Sequence, residues 1–261
     1  WSCANIPKRG IDHASKGVER ATVRDRKHAK YCVKMDISKF YPSIPHGKLK
    51  ARLREKIKDE KFLQIIFKVI DSHEQGLPIG NYTSPWLAEL YLQPLDNLIK
   101  QKHRIQHYVR YADDLVLIDS NKRKLRKALH DIFEFVGELG LSIKHDYQLF
   151  RIQQYCKDRS GRRGRKIDFV GRCFGVGFTT IRKRRALALM RQSRFIQKLQ
   201  RENRPIAYRI ASGFISRCAC FKHTNSYAMR KKYCETVNIK KLKEVISNES
   251  KRKCLSQLAH H

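Results

Sequence analysis

The segment HYVRYADDLVLID, residues 107–119, is the most informative part of the sequence about its fold. Apolar and polar residues alternate on both sides of two adjacent aspartates, which predicts a β-hairpin with Asp113 and Asp114 at its tip. Two like charges repel each other, and Asn-Gly or Asp-Gly would form such a turn more easily. The pair is therefore either an ordinary solvated turn or a site that holds something strongly cationic.

The charge of the chain indicates a polyanionic partner. The 261 residues include 57 Lys and Arg against 24 Asp and Glu, a formal net charge of +33, and residues 151–261 hold most of the excess. Such a surplus repels itself unless a polyanion neutralises it, so nucleic acid is the leading partner. An anionic membrane is the alternative. It is disfavoured because the sequence has neither a basic amphipathic helix with a continuous apolar face nor an apolar run of roughly 20 residues.

The hydrophobic pattern predicts an α+β layer followed by a helical, basic module. Through residue 144 the predicted order is β-α-α-ββ-α-β. The predicted elements are a basic helix over 11–28, a strand over 31–40, a helix over 46–70, a turn-rich loop over 76–81, a helix over 86–100, the hairpin 107–119, a helix over about 122–139, a short strand near 141–144 and a Gly-kinked hairpin over 166–181. From residue 183 the pattern is helical, with a break at Pro205.

A third carboxylate gives the aspartate pair a chemical interpretation. Asp36 lies in the otherwise apolar strand 31–40, directly before the break at Tyr41-Pro42. If that strand pairs beside the hairpin, Asp36, Asp113 and Asp114 converge at one edge of a sheet. Each feature alone is more often structural. Together, with two divalent cations, they form a site for in-line phosphoryl transfer, and oxygen-only ligands favour Mg²⁺ or Mn²⁺.

Several short motifs resemble those of reverse transcriptases, in the right order over about residues 2–181. YADD (111–114) resembles the family's Tyr-x-Asp-Asp box, and MDISKFYPSI (35–44) resembles its first palm motif. LPIGNYTSP (77–85) is similar to the loop over the templating base pair. LGLSI (139–143) and IDFVGRCF (167–174) resemble the next two motifs, the second of which is a primer-grip hairpin. SCANIPKRGIDHASK (2–16) is similar to the finger segment of bacterial members.

The resemblance implies a right-hand polymerase of α+β class. Its parts would be partial fingers over 1–30, a ferredoxin-like palm of antiparallel sheet and helices over 31–181 with a finger-derived segment at about 46–75, and a basic α-helical thumb over 182–261. The implied reaction is RNA-templated DNA synthesis from dNTPs by a cytoplasmic enzyme encoded by a bacterium or phage. The chain, which starts at Trp1, is expected to begin inside a longer protein. A non-catalytic RNA-binding protein on the same scaffold is the alternative of another class.

The resemblance also implies roles for individual residues. Asp36 and Asp113 would be the principal ligands of two Mg²⁺ ions, for which Mn²⁺ can substitute, and Asp114 would complete the triad. The backbone of Ile37 would face the metal and the triphosphate. Tyr41 would lie under the incoming sugar and exclude a 2′-hydroxyl, which disfavours an RNA-dependent RNA polymerase. The implied substrate-binding residues are Ile37, Ser38, Tyr41, Ile79 and Gly80.

Two departures from the family pattern bear on the subgroup. The chain has Pro78-Ile79-Gly80 where Pro-Gln-Gly is usual, and Ile cannot hydrogen-bond near the nascent base pair, so copying is expected to be error-prone. LPIGN resembles diversity-generating retroelements, which would imply a basic accessory protein. Their segment normally ends in Ser-Gln, however, and here it ends in Ser-Pro. Another bacterial reverse transcriptase, of antiviral defence or of retron or group II type, is the rival. In the motif after LGLSI, Tyr147 occupies the usual position of a Lys, with Lys144 nearby.

Two basic runs, KDRSGRRGRK (157–166) and RKRR (182–185), are candidates for contact with phosphates. They would bind the RNA template or the RNA–DNA hybrid duplex. The alternatives are solvated loops or nuclear-localisation-like runs. The candidate nucleic-acid-binding residues are Arg162, Arg163, Arg165, Lys166, Arg182, Lys183, Arg184 and Arg185.

Overall fold

The computed structural model describes residues 1–154, 163–221 and 224–258, without the side chains of 251–258. The chain divides into two compact units. The first comprises Trp1–Val170 and Phe174–Gly177, and the second comprises Gly171–Cys173 and Phe178–His261. Within the described residues, no helix is both long enough and apolar enough to cross a membrane.

The first unit alternates helices with the strands of one main sheet. Its elements are α1 (Ile11–Glu19), β1 (Tyr31–Asp36), α2 (Phe40–Ser43), α3 (His46–Lys56), α4 (Glu60–Asp71), α5 (Ser84–Asn97), β2 (His107–Tyr111), β3 (Asp114–Asp119), α6 (Lys122–Glu138), β4 (Gln148–Arg151) and β5 (Ile167–Phe169). Short π-helical turns, Arg20–Arg24 and Leu98–Lys102, follow α1 and α5. Two more strands follow, β6 (Arg172–Gly175) and β7 (Phe178–Ile181), and the division between the units falls in this segment.

The main sheet is antiparallel, in the order β2-β3-β1-β4. The hairpin predicted over 107–119 is β2 and β3, and the strand predicted over 31–40 pairs directly beside it. Tyr31 lies opposite Asp119, and Asp36 lies opposite Asp114. The predicted α+β class and the predicted pairing are therefore both confirmed.

Helices cover both faces of the sheet. Successive side chains of a strand point to opposite faces, and here both faces carry apolar residues that pack against helices. On one face, Val33 and Met35 belong to a large apolar cluster with residues of α5 and α6. On the other face, Cys32 and Val116 belong to a second cluster with residues of α1. Each fully buried Leu or Val contributes about 1.5–3 kcal/mol to stability. Asp36 and Asp114 share the face of Cys32 and Val116, at the end of their strands.

The run predicted as one helix over 46–70 is two helices, α3 and α4. The break falls at Asp59, whose side chain caps α4 by accepting a hydrogen bond from the Phe62 amide at 3.1 Å. A carboxylate at this position satisfies an amide that has no partner within the helix, so a new helix starts there.

The strand predicted near 141–144 is only a single bridge between Ile37 and Ile143. The fourth strand of the sheet, β4, lies further along the chain and pairs with β1. The expected end of α6 at Gly140 is confirmed, because Gly140 has a φ of +74° that glycine adopts readily. Leu141 and Ile143 are buried at alternate positions, as in a strand, but the segment forms no ladder of paired residues.

The second unit is helical after β7, as the pattern from residue 183 predicts. Its helices are α7 (Lys183–Arg201), α8 (Tyr208–Phe221), α9 (Tyr227–Tyr233) and α10 (Ile239–Leu258). The gap between α7 and α8 contains Pro205, as expected. Leu189, Ile196 and Phe214 lie in the apolar cluster of this unit.

Candidate active site

Three aspartates lie together where β1 ends and β3 begins. Asp36 and Asp114 are cross-strand partners, and such residues have Cβ atoms about 4.5–5.5 Å apart. Asp113 lies in the turn between β2 and β3, and its carbonyl oxygen accepts a hydrogen bond from the Ile37 amide at 3.2 Å. The fold thus places all three aspartates at the same end of β1 and β3.

Two lysines approach these carboxylates. Lys144 Nζ lies 2.6 Å from Asp36 Oδ1, and Lys34 Nζ lies 3.6 Å from Asp114 Oδ1. The hydrogen bond to Asp36 raises the pKa of Lys144. Lys144 was noted in the sequence only as a neighbour of Tyr147. Two backbone contacts place Lys144 beside Asp36. Ile143 forms a bridge with Ile37, and the Lys144 amide donates a hydrogen bond to the Asp36 carbonyl oxygen.

The electrostatics of the cluster favour a bound cation. Burial, with a smaller contribution from the Asp36 and Asp113 charges, raises the pKa of Asp114 to about 6 against the opposing effect of Lys34. Burial also raises the pKa of Asp113, and the Asp36 charge adds to this. Asp36 Oδ1 and Asp114 Oδ1 are buried, and a lysine ammonium group lies near each of them. Buried oxygens of this kind are suited to a divalent cation.

Tyr41 is held beside the aspartates by its neighbours. Its ring packs edge-to-face on Phe40, with ring centroids 5.5 Å apart. Its carbonyl oxygen accepts a hydrogen bond from the Leu77 amide at 2.8 Å. Burial raises the pKa of the Tyr41 hydroxyl, and the charges of Glu89 and Asp113 raise it too. The ring is half-buried and lies within electrostatic reach of the aspartate turn.

The remaining substrate-binding candidates divide into buried and open positions. The Ile37 side chain is 1% exposed, so only its backbone is available to a ligand. The Ser38 amide donates to the Ser142 carbonyl oxygen at 2.8 Å. Ile79 is 84% exposed, and Gly80 has a φ of +96° with open space around it. Ile79 and Gly80 thus lie in an open loop before α5.

The basic candidates lie in two places. Arg162 is outside the described residues. Arg163, Arg165 and Lys166 are exposed, and the guanidinium of Arg165 lies over the Phe150 ring.

In the second unit, Arg182, Arg184 and Arg185 line a cavity of about 560 Å³ between α7 and α8, while Lys183 is exposed on the surface. Sequence reasoning missed Arg217, which lines the same cavity from α8.

Sequence reasoning also missed Arg110, which is 1% exposed in the middle of β2. Its guanidinium contacts Asp96, Glu89 and the Ala112 carbonyl oxygen. The only local signal was a charged residue in an otherwise apolar strand.

Possible metal ligands also occur away from the aspartates, on α6. Side-chain atoms of His130, Asp131 and Glu134 lie within 4.8 Å of one another. The Asp131 carboxylate already pairs with Lys102 Nζ at 2.9 Å and with His103 Nε2 at 3.1 Å. His130 and Glu134 are exposed and Asp131 is partly buried, and the group has its own cationic partners, so it resembles a surface ion-pair network.

Comparison with known proteins agrees with this geometry. A family described as "Reverse transcriptase (RNA-dependent DNA polymerase)" matches residues 3–154. The Retron Ec73 reverse transcriptase of Escherichia coli is 31% identical over 137 residues, covering 47% of this chain and 43% of that protein. The Putative COX1/OXI3 intron 2 protein of Saccharomyces cerevisiae is 29% identical over 201 residues, covering 50% and 24%. The chain therefore spans less than half the length of these relatives.

The fold is similar to that of telomerase structures. Apo telomerase from Candida tropicalis, truncated from the C-terminal domain, has a TM-score of 0.53 at 16% identity, covering 69% of this chain and 41% of that one. Telomerase from the same species in complex with a fragment of telomeric RNA has a TM-score of 0.52 at 12% identity, covering 96% and 43%. The family match takes in β1, the aspartate hairpin and more than half of the sequence, so this chain belongs to the reverse transcriptase family.

Proposed function

We propose that this chain catalyses RNA-templated DNA synthesis, in which a primer 3′-hydroxyl attacks the α-phosphate of a dNTP and pyrophosphate leaves. The observation that carries the proposal is the convergence of Asp36, Asp113 and Asp114 at one end of β1 and β3. It lies inside the segment that matches the reverse transcriptase family. A pure RNA-binding protein would gain nothing from three mutually repelling carboxylates.

The three aspartates, with the backbone of Ile37, would hold two Mg²⁺ ions, or Mn²⁺ in their place. The residues fit these cations because all side-chain donors are oxygens and two of them, Asp36 Oδ1 and Asp114 Oδ1, are buried. When bound, such ions lower the pKa of the attacking hydroxyl and neutralise the leaving pyrophosphate. In their absence Lys144 and Lys34 supply part of the compensating charge.

The residues around Tyr41 would select the sugar. The edge-to-face contact with Phe40 restricts movement of this ring, and the hydrogen bond that the Tyr41 carbonyl oxygen accepts from the Leu77 amide holds its backbone. A rigid ring under the ribose leaves no room for a 2′-hydroxyl, so dNTPs would be preferred over rNTPs. The substrate pocket would comprise Ile37, Ser38, Tyr41, Ile79 and Gly80.

The chain would be organised as a right-hand polymerase, with fingers over 1–30, a palm over 31–181 and a helical thumb over 182–261. The arginine-lined cavity between α7 and α8 would bind phosphates of the template or of the RNA–DNA hybrid. Its four arginines make ionic contacts that do not depend on sequence, so affinity should fall as salt rises. Arg163, Arg165 and Lys166 would add contacts from the first unit.

Two subgroups remain candidates, each with its own observation. The exposed Ile79 at a position where the family usually has Gln favours error-prone copying in a diversity-generating retroelement, with a basic accessory protein. The 31% identity to the Retron Ec73 reverse transcriptase favours a retron-type enzyme. Sequencing of cDNA made by wild type and by Ile79→Gln separates them, because only error-prone copying through Ile79 predicts fewer adenine errors in the variant.

Primer extension on an RNA template tests the main proposal. Wild type should incorporate dNTPs only with Mg²⁺ or Mn²⁺, and the double variant Asp113→Asn, Asp114→Asn should incorporate none while still binding RNA. Wild-type rates in the double variant would refute the mechanism. Salt-sensitive RNA binding without any incorporation would favour the non-catalytic alternative. Replacing Tyr41 by Ala should increase rNTP incorporation relative to dNTP.

A further inference from the structure

Arg110 is a charged residue in a place where charge is costly. It lies in the middle of β2 with 1% of its surface exposed, and it heads the fully buried side chains in size among the residues that the structure describes. Its neighbour in the strand, Val109, belongs to the apolar cluster on the other face of the sheet. A buried guanidinium is tolerated only when carboxylates and further hydrogen bonds satisfy it.

Two carboxylates of α5 compensate the charge of Arg110. Asp96 binds the guanidinium with two hydrogen bonds of 2.8 Å, from Nε and from Nη2. Asp96 also accepts a hydrogen bond from the Tyr108 hydroxyl at 2.7 Å. Glu89 Oε2 lies 2.8 Å from Nη1. The two parallel hydrogen bonds to Asp96 and the ion pair with Glu89 engage different nitrogens, so together they fix the orientation of the guanidinium plane.

The third contact leads from this network to the aspartate turn. Arg110 Nη1, the nitrogen that Glu89 holds, also donates to the Ala112 carbonyl oxygen at 3.1 Å. That oxygen belongs to the peptide group that joins Ala112 to Asp113. Ala112 has a φ of +53°, a left-handed conformation that costs a non-glycine residue about 1–2 kcal/mol. The hydrogen bond from Arg110 stabilises the turn in this conformation.

The backbone of Arg110 is fixed as well. Its amide donates to the Trp1 carbonyl oxygen at 3.2 Å, and its own carbonyl oxygen accepts from the Cys3 amide at 2.9 Å. The guanidinium therefore projects from a strand that is hydrogen-bonded along both edges, to β3 and to residues 1–3. A rigid base is what a side chain needs if it is to set the position of a neighbouring turn.

We propose that Arg110 is a positioning residue of the reaction: it holds the Ala112–Asp113 peptide in the orientation that directs the Asp113 carboxylate toward Asp36 and Asp114. This inference rests on the proposed function, because it assigns Arg110 a role in assembling that same site. The inference predicts that a positive charge alone at position 110 cannot hold the turn, so Lys should not replace Arg110. Lys cannot bind Asp96 with two parallel hydrogen bonds and at the same time reach Glu89 and the Ala112 carbonyl oxygen.

Binding of Mn²⁺ to the protein without nucleotide, followed by electron paramagnetic resonance, tests the inference. Arg110→Lys should raise the Kd for Mn²⁺ at least about tenfold, as loss of a group that orients a metal ligand does. In primer extension it should lower kcat and leave the KM for dNTP within about twofold. Asp119→Asn, at the opposite end of β3, is the control for a general loss of stability, and it should leave the Kd for Mn²⁺ within about twofold.

An unchanged Kd in folded Arg110→Lys, or an equal rise in Asp119→Asn, would overturn the inference and leave the proposed function intact. Failure of the proposed function looks different, because wild type itself would then bind no Mn²⁺ through Asp113 and Asp114. If Arg110→Lys does not fold at the assay temperature, Glu89→Gln replaces it. That variant keeps the Asp96 contacts but weakens the hold on Nη1, and its Kd for Mn²⁺ should also rise; no rise would equally refute the proposal.

Discussion

Replacing Asp114 by Asn should abolish polymerisation and, without metal, make the protein more stable. The Asp114 carboxyl has a pKa raised to about 6, mainly by burial. Without cations, the folded state therefore favours the neutral form of this carboxyl more than the unfolded chain does. The amide of Asn has nearly the same shape as that neutral form and carries no charge. The substitution therefore removes a repulsion that the metal-free site carries at neutral pH.

The size of the gain follows from the two pKa values. The unfolded chain releases this proton near pH 3.8 and the folded chain releases it near pH 6. Between these values the folded state binds more protons, so this carboxyl lowers the free energy of unfolding as pH rises, at about 1.4 kcal/mol per unit of pKa shift. The total at pH 7 is about 3 kcal/mol. For a unit of this size, that corresponds to a rise in Tm of about 6–12 °C.

Thermal unfolding in EDTA, followed by circular dichroism at pH 7 and pH 4, measures this gain. Asp114→Asn should melt above wild type at pH 7 and close to wild type at pH 4, and Mg²⁺ should raise the Tm of wild type alone. Asp119→Asn is the matched control at the other end of the strand. Burial works against it, but hydrogen bonds from Lys124, Asn121 and Gln106 lower the pKa of Asp119, so its loss should destabilise. A variant at position 114 no more stable than wild type at pH 7 would show that the Asp114 charge does not destabilise the metal-free fold.

Three further variants have defined outcomes. Gly76→Ala should lower the free energy of unfolding by roughly 1–3 kcal/mol in chemical denaturation, since Gly76 has a φ of +69° and a methyl group would overlap neighbouring carbonyl oxygens. Gly80 has a φ of +96° but open space around it, so Gly80→Ala should lower it less. Equal losses in the two variants would contradict the role of the overlap. Phe214→Ala should lower the free energy of unfolding by about 3–5 kcal/mol, because the ring is fully buried in the second unit. Arg217→Ala should reduce the slope of log affinity for an RNA–DNA duplex against log salt by about one, whereas Arg209→Ala, outside the arginine-lined cavity, should not.

The pairing that builds the candidate site could be read from the sequence because it depends on a period-two pattern and on the placement of charges. The alternation around the YADD turn and in residues 31–36 predicts strands. If these strands pair, the three aspartates at their ends must lie at the same edge of the sheet. The end of α6 at Gly140 could also be predicted, because the left-handed conformation after a helix is one that glycine adopts readily.

The contacts of Arg110 could not be predicted, because its partners lie on α5, 14 residues or more before it in sequence. Glu89 and Asp96 are spaced seven residues apart, which places both on one side of a helix, but the sequence does not state which strand that side faces. The break between α3 and α4 was predictable in principle. Asp59 followed by Glu60 is a helix-start signal that the continuous apolar spacing obscured.

The register of β1 against β3 has a practical consequence for anyone preparing this protein. Because both faces of the sheet are apolar, a pairing shifted by one residue would exchange the buried sets and separate Asp36 from Asp114, yet it would keep nearly the same secondary structure. Far-ultraviolet circular dichroism would not distinguish the two molecules. At the proposed metal site, the stoichiometry of tightly bound Mn²⁺ would count only the correctly paired molecule, so that measurement would give its fraction in a refolded sample.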